Sequence, residues 1–345
     1  MKNLVEPEKH GLARTILRAA EHLPALKRML KGMVGIKYFM PPVMHLKGIK
    51  HFLILPEKQS PEMRYPVVEE RHDYRKIVII TGATSGIGKA FAHHFARQGY
   101  DLLITGRRRS IINSVAHEIR REYGVQVKVV IADLAVKEDL SSFLQIIDRQ
   151  RNIEVLVNNA GYGMNRGFSE DEIGHQLAMM NVHVNAPLIL IHKVLPQMIK
   201  KRNGTIINVS SMAAYFPASG SVMYTSTKSF LKSFSESLFL DVGRYGIRVQ
   251  CLCPGFTNSD FHRDLNIQIN RINNGLLPFM EPSDVVQYSV KCLEKGRVVC
   301  VPGFINRLLI ILLSVIPRSL YYRFSLRLEK KVRRVKENTT MPVLQ

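Results

Sequence analysis

A predicted strand, a glycine-rich turn and a predicted helix follow one another directly near residue 80. Residues 76–80 (Lys-Ile-Val-Ile-Ile) form a β-branched run that is typical of a buried strand. Residues 81–88 then contain three glycines, and residues 87–98 indicate a helix that ends at Gly99. This order gathers backbone N–H groups and the positive end of a helix dipole at one point, which favours a pyrophosphate ligand. A tight turn without a ligand is the weaker alternative, because the strand and the helix are both present.

Short apolar runs alternate with helical segments along the rest of the chain. Strands are predicted at residues 101–105, 125–131, 154–157, 205–210, 247–252 and 298–301. Strands and helices that alternate at this length predict a parallel sheet with helices on both faces and a ligand at the carboxyl ends of the strands. The expected fold class is therefore α/β, with a doubly wound sheet of the Rossmann type.

A tyrosine and a lysine stand four positions apart in a predicted helix, at Tyr224 and Lys228. This spacing places both side chains on one helix face, so an ammonium group can lie beside a phenol. A neighbouring positive charge favours the phenolate and is expected to move its pKa towards neutrality, which suits a proton donor. Ser211 follows the predicted strand at 205–210, so its hydroxyl can reach the same place.

Four motifs together resemble the short-chain dehydrogenase/reductase family. They are Ser211, the Tyr224/Lys228 pair, the glycine turn at 81–88, and Asn158-Asn159-Ala160-Gly161. They stand in the family's order and spacing, and the likeness runs from about Lys76 to Gly303. The resemblance implies an enzyme acting on CH–OH groups. Ser211 would hold the substrate oxygen, Tyr224 would transfer the proton, and Lys228 would bind the ribose hydroxyls.

The turn after the second predicted strand bears on the choice of cofactor. An NAD-preferring site has an acidic residue here for the ribose 2′-hydroxyl, whereas a 2′-phosphate needs a cation. This chain has Gly106-Arg107-Arg108-Arg109 and no carboxylate, so Arg107 favours NADP(H). A solvated basic turn is the alternative.

By the same resemblance, Asp133 contacts the adenine and the turn after residue 252 lies behind the nicotinamide. The full set of cofactor-binding residues expected from the resemblance is Gly82, Thr84, Ser85, Gly86, Ile87, Gly88, Arg107, Asp133, Leu134, Asn159, Ala160, Gly161, Tyr224, Lys228, Pro254, Gly255 and Thr257.

The chain departs from the family pattern at one catalytic position. The family places an asparagine thirteen residues before the proline that ends the next apolar segment, where it bends the helix and holds a water beside the lysine. Counting back from Pro196 gives His183, and Asn181 and Asn185 point elsewhere on a helix. His183 is therefore expected either to serve the same relay through its imidazole or to be a structural residue in an impaired enzyme.

The net charge of +21 is concentrated at the two ends of the chain. Residues 1–50 and residues 303–345 each carry +7, which predicts a surface partner and not an acidic substrate. The predicted organisation is a basic helical N-terminal extension (1–73), a catalytic domain (74–302) and an apolar, then basic, C-terminal tail (303–345). Both extensions suggest contact with an anionic membrane. The alternative is a pair of short helices docked on the main domain for the N-terminal extension, and a helix that covers an exposed apolar groove of its own dimer for the C-terminal tail. Nucleic acid is the weaker partner, because no reading motif is present.

Further features limit the compartment and the ligands. The cysteines show no CxxC pair and no metal-ligand spacing, so neither a metal nor a disulfide framework is expected, and a reducing cytoplasm fits best. No signal peptide is apparent, and the apolar run at 308–316 is too short to cross a bilayer. A peripheral membrane location fits the basic ends.

The substrate is expected to be small and hydrophobic. The segment at 260–280, which caps the substrate in the family, is apolar here, although its helical spacing also suits an ordinary packed helix. The function predicted is an NADP(H)-dependent oxidoreductase working in the reductive direction as a homo-oligomer. The alternative is an NADP(H)-binding membrane-surface or scaffold protein with an impaired site.

Overall fold

The computed structural model describes residues 75–164, 166–260 and 279–327. The predicted N-terminal extension, nearly all of the predicted substrate cap and the basic end of the tail lie outside these residues. The described residues contain one seven-stranded sheet in the order β3-β2-β1-β4-β5-β6-β7, and every strand pair in it is parallel. The predicted doubly wound α/β fold is therefore confirmed.

The strands lie within two residues of their predicted bounds. They are β1 (Ile77–Thr81), β2 (Asp101–Gly106), β3 (Val127–Ile131), β4 (Ile153–Asn158), β5 (Gly204–Val209), β6 (Ile247–Leu252) and β7 (Val299–Cys300). The helices are α1 (Gly86–Arg97), α2 (Arg109–Tyr123), α3 (Lys137–Asp148), α4 (Ile173–Met180), α5 (Ala186–Lys201), α6 (Val222–Val242), α7 (Pro282–Glu294), α8 (Phe304–Ser314) and α9 (Arg318–Arg327).

The sheet is buried on both faces because its strands are apolar at successive positions. In β1, Val78 and Ile80 pack into one core cluster, with Phe91 of α1. Ile79 points to the opposite face and packs with Phe143 of α3. The two-sided core leaves the carboxyl ends of the strands as the edge where polar side chains can gather.

The chain between α4 and α5 forms a π-helical turn over Asn181–Asn185. Such turns interrupt the regular helical ladder and occur frequently at functional sites. In this chain the helix type therefore changes around His183, at the position where the family's asparagine is described as bending the helix.

No single helix in the described ranges is long and apolar enough to cross a membrane. Among the described helices, α8 and α9 reach that length and apolar character only when taken together, and they are bent by 112° relative to each other.

Candidate active site

The turn after β1 has a backbone path that requires glycine. Gly82 has a φ of +68° and Gly86 a φ of +55°, both in the left-handed region. At Gly88, a Cβ atom would collide with the carbonyl oxygen of Gly82. Helix α1 begins at Gly86, and its N-cap residue, Ser85, makes no side-chain cap hydrogen bond. The turn therefore brings main-chain N–H groups to one point, as an anion site requires.

A hydrogen-bond network joins this turn to the end of β4. Thr81 Oγ1 accepts hydrogen bonds from the backbone N–H groups of Asn159 and Ala160, both at 3.0 Å. Asn159 Nδ2 donates to the carbonyl oxygens of Thr81 and Gly82, again at 3.0 Å. The Asn-Asn-Ala-Gly motif thus fixes the position of the glycine turn.

A cleft of about 320 Å³ lies at the carboxyl ends of the strands. Every residue predicted to bind the cofactor or to act in catalysis lines this cleft, except Gly88 and His183. Gly88 packs against the glycine turn, and His183 is buried in the π-helical turn. The structure therefore brings together groups that are up to 175 positions apart in the chain, from Gly82 to Thr257.

Tyr224, Ser211 and Lys228 form the wall of the cleft on the side of α6. The Ser211 hydroxyl hydrogen-bonds the Tyr224 side chain and also accepts from the N–H of Ala213 at 3.1 Å. Lys228 is 5% exposed, and its Nζ donates to the carbonyl oxygen of Val209 at 2.9 Å. Lys228 Nζ lies 5.7 Å from the centre of the Tyr224 ring. Phenol, hydroxyl and ammonium are thus held in one place by the protein itself.

Burial dominates the ionisation of both groups. Desolvation raises the pKa of Tyr224 to about 12, although the hydrogen bond from Ser211 acts in the opposite direction. Desolvation lowers the pKa of Lys228 to about 8. The Tyr224 pKa therefore shifts upward and not towards neutrality as expected, because loss of water outweighs the hydrogen bond from Ser211.

His183 is fully enclosed and has a partner at each ring nitrogen. Its Nε2 accepts from the backbone N–H of Tyr162 at 3.1 Å, and its Nδ1 lies 3.0 Å from Thr227 Oγ1. Because Nε2 accepts, the proton is assigned to Nδ1. Burial, with the charge of Lys228, holds the pKa of His183 well below its usual value. His183 is therefore a neutral ring that joins the turn after β4 to α6.

The two neighbouring asparagines point elsewhere, as predicted. Asn181 Nδ2 donates to the carbonyl oxygen of Ala135 at 3.2 Å. Asn185 Nδ2 donates to Asn181 Oδ1 at 2.8 Å. Neither side chain takes the place of His183.

Two arginines stand at the other end of the cleft. Arg107 Nη1 lies 3.4 Å from Asp133 Oδ2, and the guanidinium lies 5.7 Å from the Tyr162 ring centre. Arg108 Nη2 donates to Thr84 Oγ1 at 2.9 Å and to Ser85 Oγ at 3.0 Å. The selection of site residues from sequence included Arg107 but missed Arg108, although both belong to the same basic run.

The loop after β6 closes against the glycine turn. A Cβ atom at Gly86 would lie 2.8 Å from Ser259 Cβ. Arg108 Nη1 pairs with Asp260 Oδ2 at 2.9 Å, across 152 positions of sequence. Sequence reasoning also missed Asp260 and Thr227, because each acts through a partner that is distant in the chain.

One group of metal-ligating side chains occurs in the described parts of the chain, at His93, Glu118 and Glu122. Their ligand atoms lie within 4.8 Å of one another. Lys89 Nζ already lies 2.8 Å from Glu118 Oε2, and none of the three side chains lines the cleft. The group does not take part in the site described above.

Comparison with known proteins agrees with this geometry. A family model for short chain dehydrogenase matches residues 76–270. The chain is 27% identical over 221 residues to an uncharacterized oxidoreductase of Staphylococcus saprophyticus, across 64% of this chain and 92% of that protein. It is 33% identical over 180 residues to a very-long-chain 3-oxoacyl-CoA reductase of Anas platyrhynchos, across 51% of this chain and 58% of that protein.

A solved short-chain dehydrogenase of Sphingobium yanoikuyae, in complex with NADPH, has a TM-score of 0.62 and 28% identity, across 70% of this chain and 96% of that chain. The fold and the site thus define a nicotinamide-dependent oxidoreductase that acts on alcohol or carbonyl groups. Because the family model matches more than half of its residues, the chain belongs to the short chain dehydrogenase family. The NADPH in the Sphingobium structure is the cofactor predicted here from sequence.

Proposed function

We propose that this protein is an NADP(H)-dependent reductase that converts a carbonyl group of a hydrophobic molecule into a secondary alcohol. The observation that carries the proposal is the Tyr224 phenol, held by the Ser211 hydroxyl beside the Lys228 ammonium on the wall of the cleft. Ser211 would hold the substrate oxygen, and Tyr224 would give it a proton. Lys228 would bind the ribose hydroxyls.

The raised pKa of Tyr224 suits its proposed role as the proton donor of a reductive step. A phenol with a pKa of about 12 keeps its proton throughout the physiological range. Reduction of a carbonyl places negative charge on the substrate oxygen, which is then a stronger base than a phenolate. A protonated Tyr224 is the form that this step requires, and the hydroxyl of Ser211 can stabilise the same charge.

The residues of the cleft fit a dinucleotide. The glycine turn and the open N-terminus of α1 suit the pyrophosphate. At Gly82 a Cβ atom would lie 2.8 Å from Ala160 Cα, so the close backbone approach here depends on glycine. When bound, the nicotinamide supplies the hydride. The protein's part is to fix the position of the substrate oxygen relative to it and to deliver the proton.

Arg107 and Arg108 would together hold the 2′-phosphate of NADP(H). Both guanidinium groups line the cleft beside the end of β2, where an NAD-preferring site would carry a carboxylate. Asp133 and Asp260 hold them near this position in the protein alone. A phosphate can replace these carboxylates as the charge partner.

We assign His183 a positioning role instead of a proton relay. Both of its ring nitrogens are engaged, by the Tyr162 N–H and by Thr227, and the ring does not line the cleft. Thr227 in turn donates to the carbonyl oxygen of Tyr224 at 3.0 Å. His183 would therefore hold the turn after β4 at a fixed distance from the α6 segment that carries Tyr224 and Lys228.

The substrate class, the assembly and the location remain part of the proposal. A hydrophobic substrate is supported by the likeness to the Anas protein, whose name specifies a very-long-chain 3-oxoacyl-CoA, although this chain spans little more than half of it. A homo-oligomer is supported by the exposed apolar side chains of Ile189 on α5 and of Phe230 and Leu240 on α6. A cytoplasmic location, peripheral to a membrane, is also proposed, and the free thiols of the four cysteines are compatible with it.

Turnover by wild type and by Tyr224→Phe, measured with NADPH on a panel of hydrophobic ketones and aldehydes, tests the proposal. Loss of the phenolic proton should lower kcat/KM by roughly 10²–10⁴-fold while leaving the affinity for NADPH nearly unchanged. If both forms bound NADPH and neither turned over any carbonyl, the cofactor-binding scaffold would be the better description. Equal activity of both forms would remove Tyr224 from the mechanism.

A further inference from the structure

The last two described helices expose many large apolar side chains. In α8 the inner side is docked, since Ile310 is buried and Asn306 Nδ2 donates to the Pro302 carbonyl oxygen at 2.7 Å. The outer side of α8, the connection and α9 carry eight large apolar residues that are each at least 43% exposed, and we call this set the C-terminal apolar face. Its members are Phe304, Ile305, Ile311, Val315, Leu320, Tyr322, Phe324 and Leu326.

The charged residues of the segment that carries the C-terminal apolar face are all cationic. Residues 304–327 contain four arginines and no aspartate or glutamate. Arg318, Arg323 and Arg327 of α9 are exposed among the apolar side chains. The sequence that follows adds five cations, Lys330, Lys331, Arg333, Arg334 and Lys336, against two carboxylates, Glu329 and Glu337. A second copy of this chain would bring the same cations against these, so the charge favours an anionic partner over self-association.

The shape of the helix pair suits a surface and not a crossing. At 1.5 Å per residue, α8 is roughly 16 Å long and the described part of α9 is roughly 15 Å long, each about half of a bilayer's apolar thickness. The 112° bend prevents the two from acting as one straight span. Short amphipathic helices with apolar and basic side chains bind in the plane of the membrane interface, where apolar burial and attraction to anionic lipid act together.

We propose that the C-terminal apolar face binds the surface of an anionic lipid bilayer. The contact would place the membrane next to the catalytic helix, because Tyr321 donates its hydroxyl to the Pro217 carbonyl oxygen at 2.7 Å. A groove of about 390 Å³ lies between α9 and the first turn of α6, the turn that carries Tyr224, and is lined by Val222, Thr225, Tyr322 and Leu326 among others. A lipid-derived substrate would therefore leave the bilayer close to the active site.

Co-sedimentation of the full-length protein with phosphatidylcholine vesicles, with and without phosphatidylserine, tests this inference. Wild type should partition onto the anionic vesicles, and the bound fraction should fall as salt is added. Replacing Leu320 and Phe324 by serine should lower the partition coefficient at least about tenfold. Changing Arg318 and Arg323 to glutamate should lower it by roughly fivefold or more for each residue.

The matched control carries the same kinds of change on another helix. Ile111→Ser with Arg121→Glu removes an exposed apolar side chain and reverses an exposed charge on α2, and should leave partition unchanged. Point substitutions are preferable to deletion from residue 303, because buried Asn306 packs against Gly255 of the cofactor cleft. NADPH affinity and melting temperature, unchanged in all variants, check the fold.

Three results would overturn the inference. Wild type could fail to sediment with the anionic vesicles, it could bind both compositions equally, or the α9 variants could bind as wild type does. If wild type fails to sediment, light scattering of wild type and of the Leu320 and Phe324 variant gives a further distinction. A wild-type oligomer that the variant converts to monomers would show that the C-terminal apolar face contacts a second copy of the chain. None of these readouts requires turnover, so they stand apart from the test of the proposed reaction.

Discussion

The two ends of the cleft are built on opposite principles. At the end proposed to be catalytic, which we call the catalytic end, Lys228 is 5% exposed and His183 is 1% exposed, and both have hydrogen-bond partners supplied by the chain. At the end proposed to bind the 2′-phosphate, which we call the phosphate end, the side chains of Arg107 and Arg108 are 61% and 43% exposed, and each is held by a carboxylate. One end is fixed by burial, and the other consists of exposed charges whose partners can be exchanged.

This difference shows which residues of the site destabilise the folded protein. Burying Lys228 strips water from an ammonium and lowers its pKa to about 8, which is a cost to the folded state. The exposed arginines carry little such cost, since exposed ion pairs are worth about 0–1 kcal/mol and are screened by salt. Substitutions at the catalytic end should therefore trade stability against activity, whereas those at the phosphate end should change affinity alone.

The largest effect is expected for Lys228→Met. Loss of the ammonium beside Tyr224 and the ribose site should lower kcat/KM by roughly 10²–10³-fold. The same change removes a buried charge, so the ligand-free variant should unfold at a higher urea concentration than wild type at neutral pH. A variant that is inactive and less stable would contradict the view that Lys228 is kept for function at a cost in stability.

The pH dependence of unfolding sharpens the same test. In wild type, between pH 8 and pH 10.5, the unfolded chain holds a proton on Lys228 that the folded protein has lost. The free energy of unfolding should therefore rise with pH across this window, by up to about 3 kcal/mol, and the Lys228→Met variant should lack that rise. Urea unfolding of both forms without cofactor, at several pH values, measures their free energies of unfolding. Titrating groups that the two forms share contribute equally to both, so the difference between the two curves reports Lys228. Parallel curves would mean that Lys228 is not desolvated in the ligand-free protein.

At the phosphate end, Arg107→Glu should weaken NADPH binding by roughly 10–100-fold, the worth of one charge-assisted contact, and leave NADH affinity nearly unchanged. Arg109→Glu is the matched control, because Arg109 is exposed in the same basic run but does not line the cleft. Titration of both nucleotides against the three forms measures the preference. An equal loss of NADPH affinity in the Arg109 variant would indicate that the positive charge of the whole basic run attracts the nucleotide, and not a direct contact with Arg107.

The features that the sequence could predict are those set by local pattern, and the features that it could not predict depend on the folded chain. The strands and the glycine turn follow local patterns, and the spacing to Pro196 identified His183 as the departure from the family. The pKa of Tyr224 could not be predicted, because its direction depends on how much water the folded chain removes. The contact of Arg108 with Asp260 spans 152 positions and no local pattern encodes it. The sequence therefore predicts local structure, but it does not predict desolvation or contacts between distant residues.

His183→Asn, which restores the residue usual in the family, should affect stability more than rate. The shorter asparagine side chain ends about where Nδ1 now lies and should leave the Tyr162 N–H without its present acceptor. The free energy of unfolding should therefore fall by about 1–3 kcal/mol, with kcat/KM reduced less than about tenfold. In wild type the unfolded chain takes up a proton at His183 below pH 6.5 while the folded protein does not, so stability falls as pH drops below 6.5. The variant should lose this component. A large loss of rate with unchanged stability would restore the relay role.

The smallest effect, and one of opposite sign, is expected for Asp260→Asn. In the protein alone Asp260 holds Arg108 at 2.9 Å, and that bond competes with a phosphate for the same guanidinium. Because the pair is exposed, its removal should tighten NADPH binding by only about two- to fivefold and leave NADH binding unchanged. Titrations of NADPH at low and high salt measure this change, which should shrink as salt screens the ion pair. Weaker binding of NADPH would mean that Asp260 positions Arg108 for the phosphate instead of competing with it, and the phosphate end would then be as pre-formed as the catalytic end.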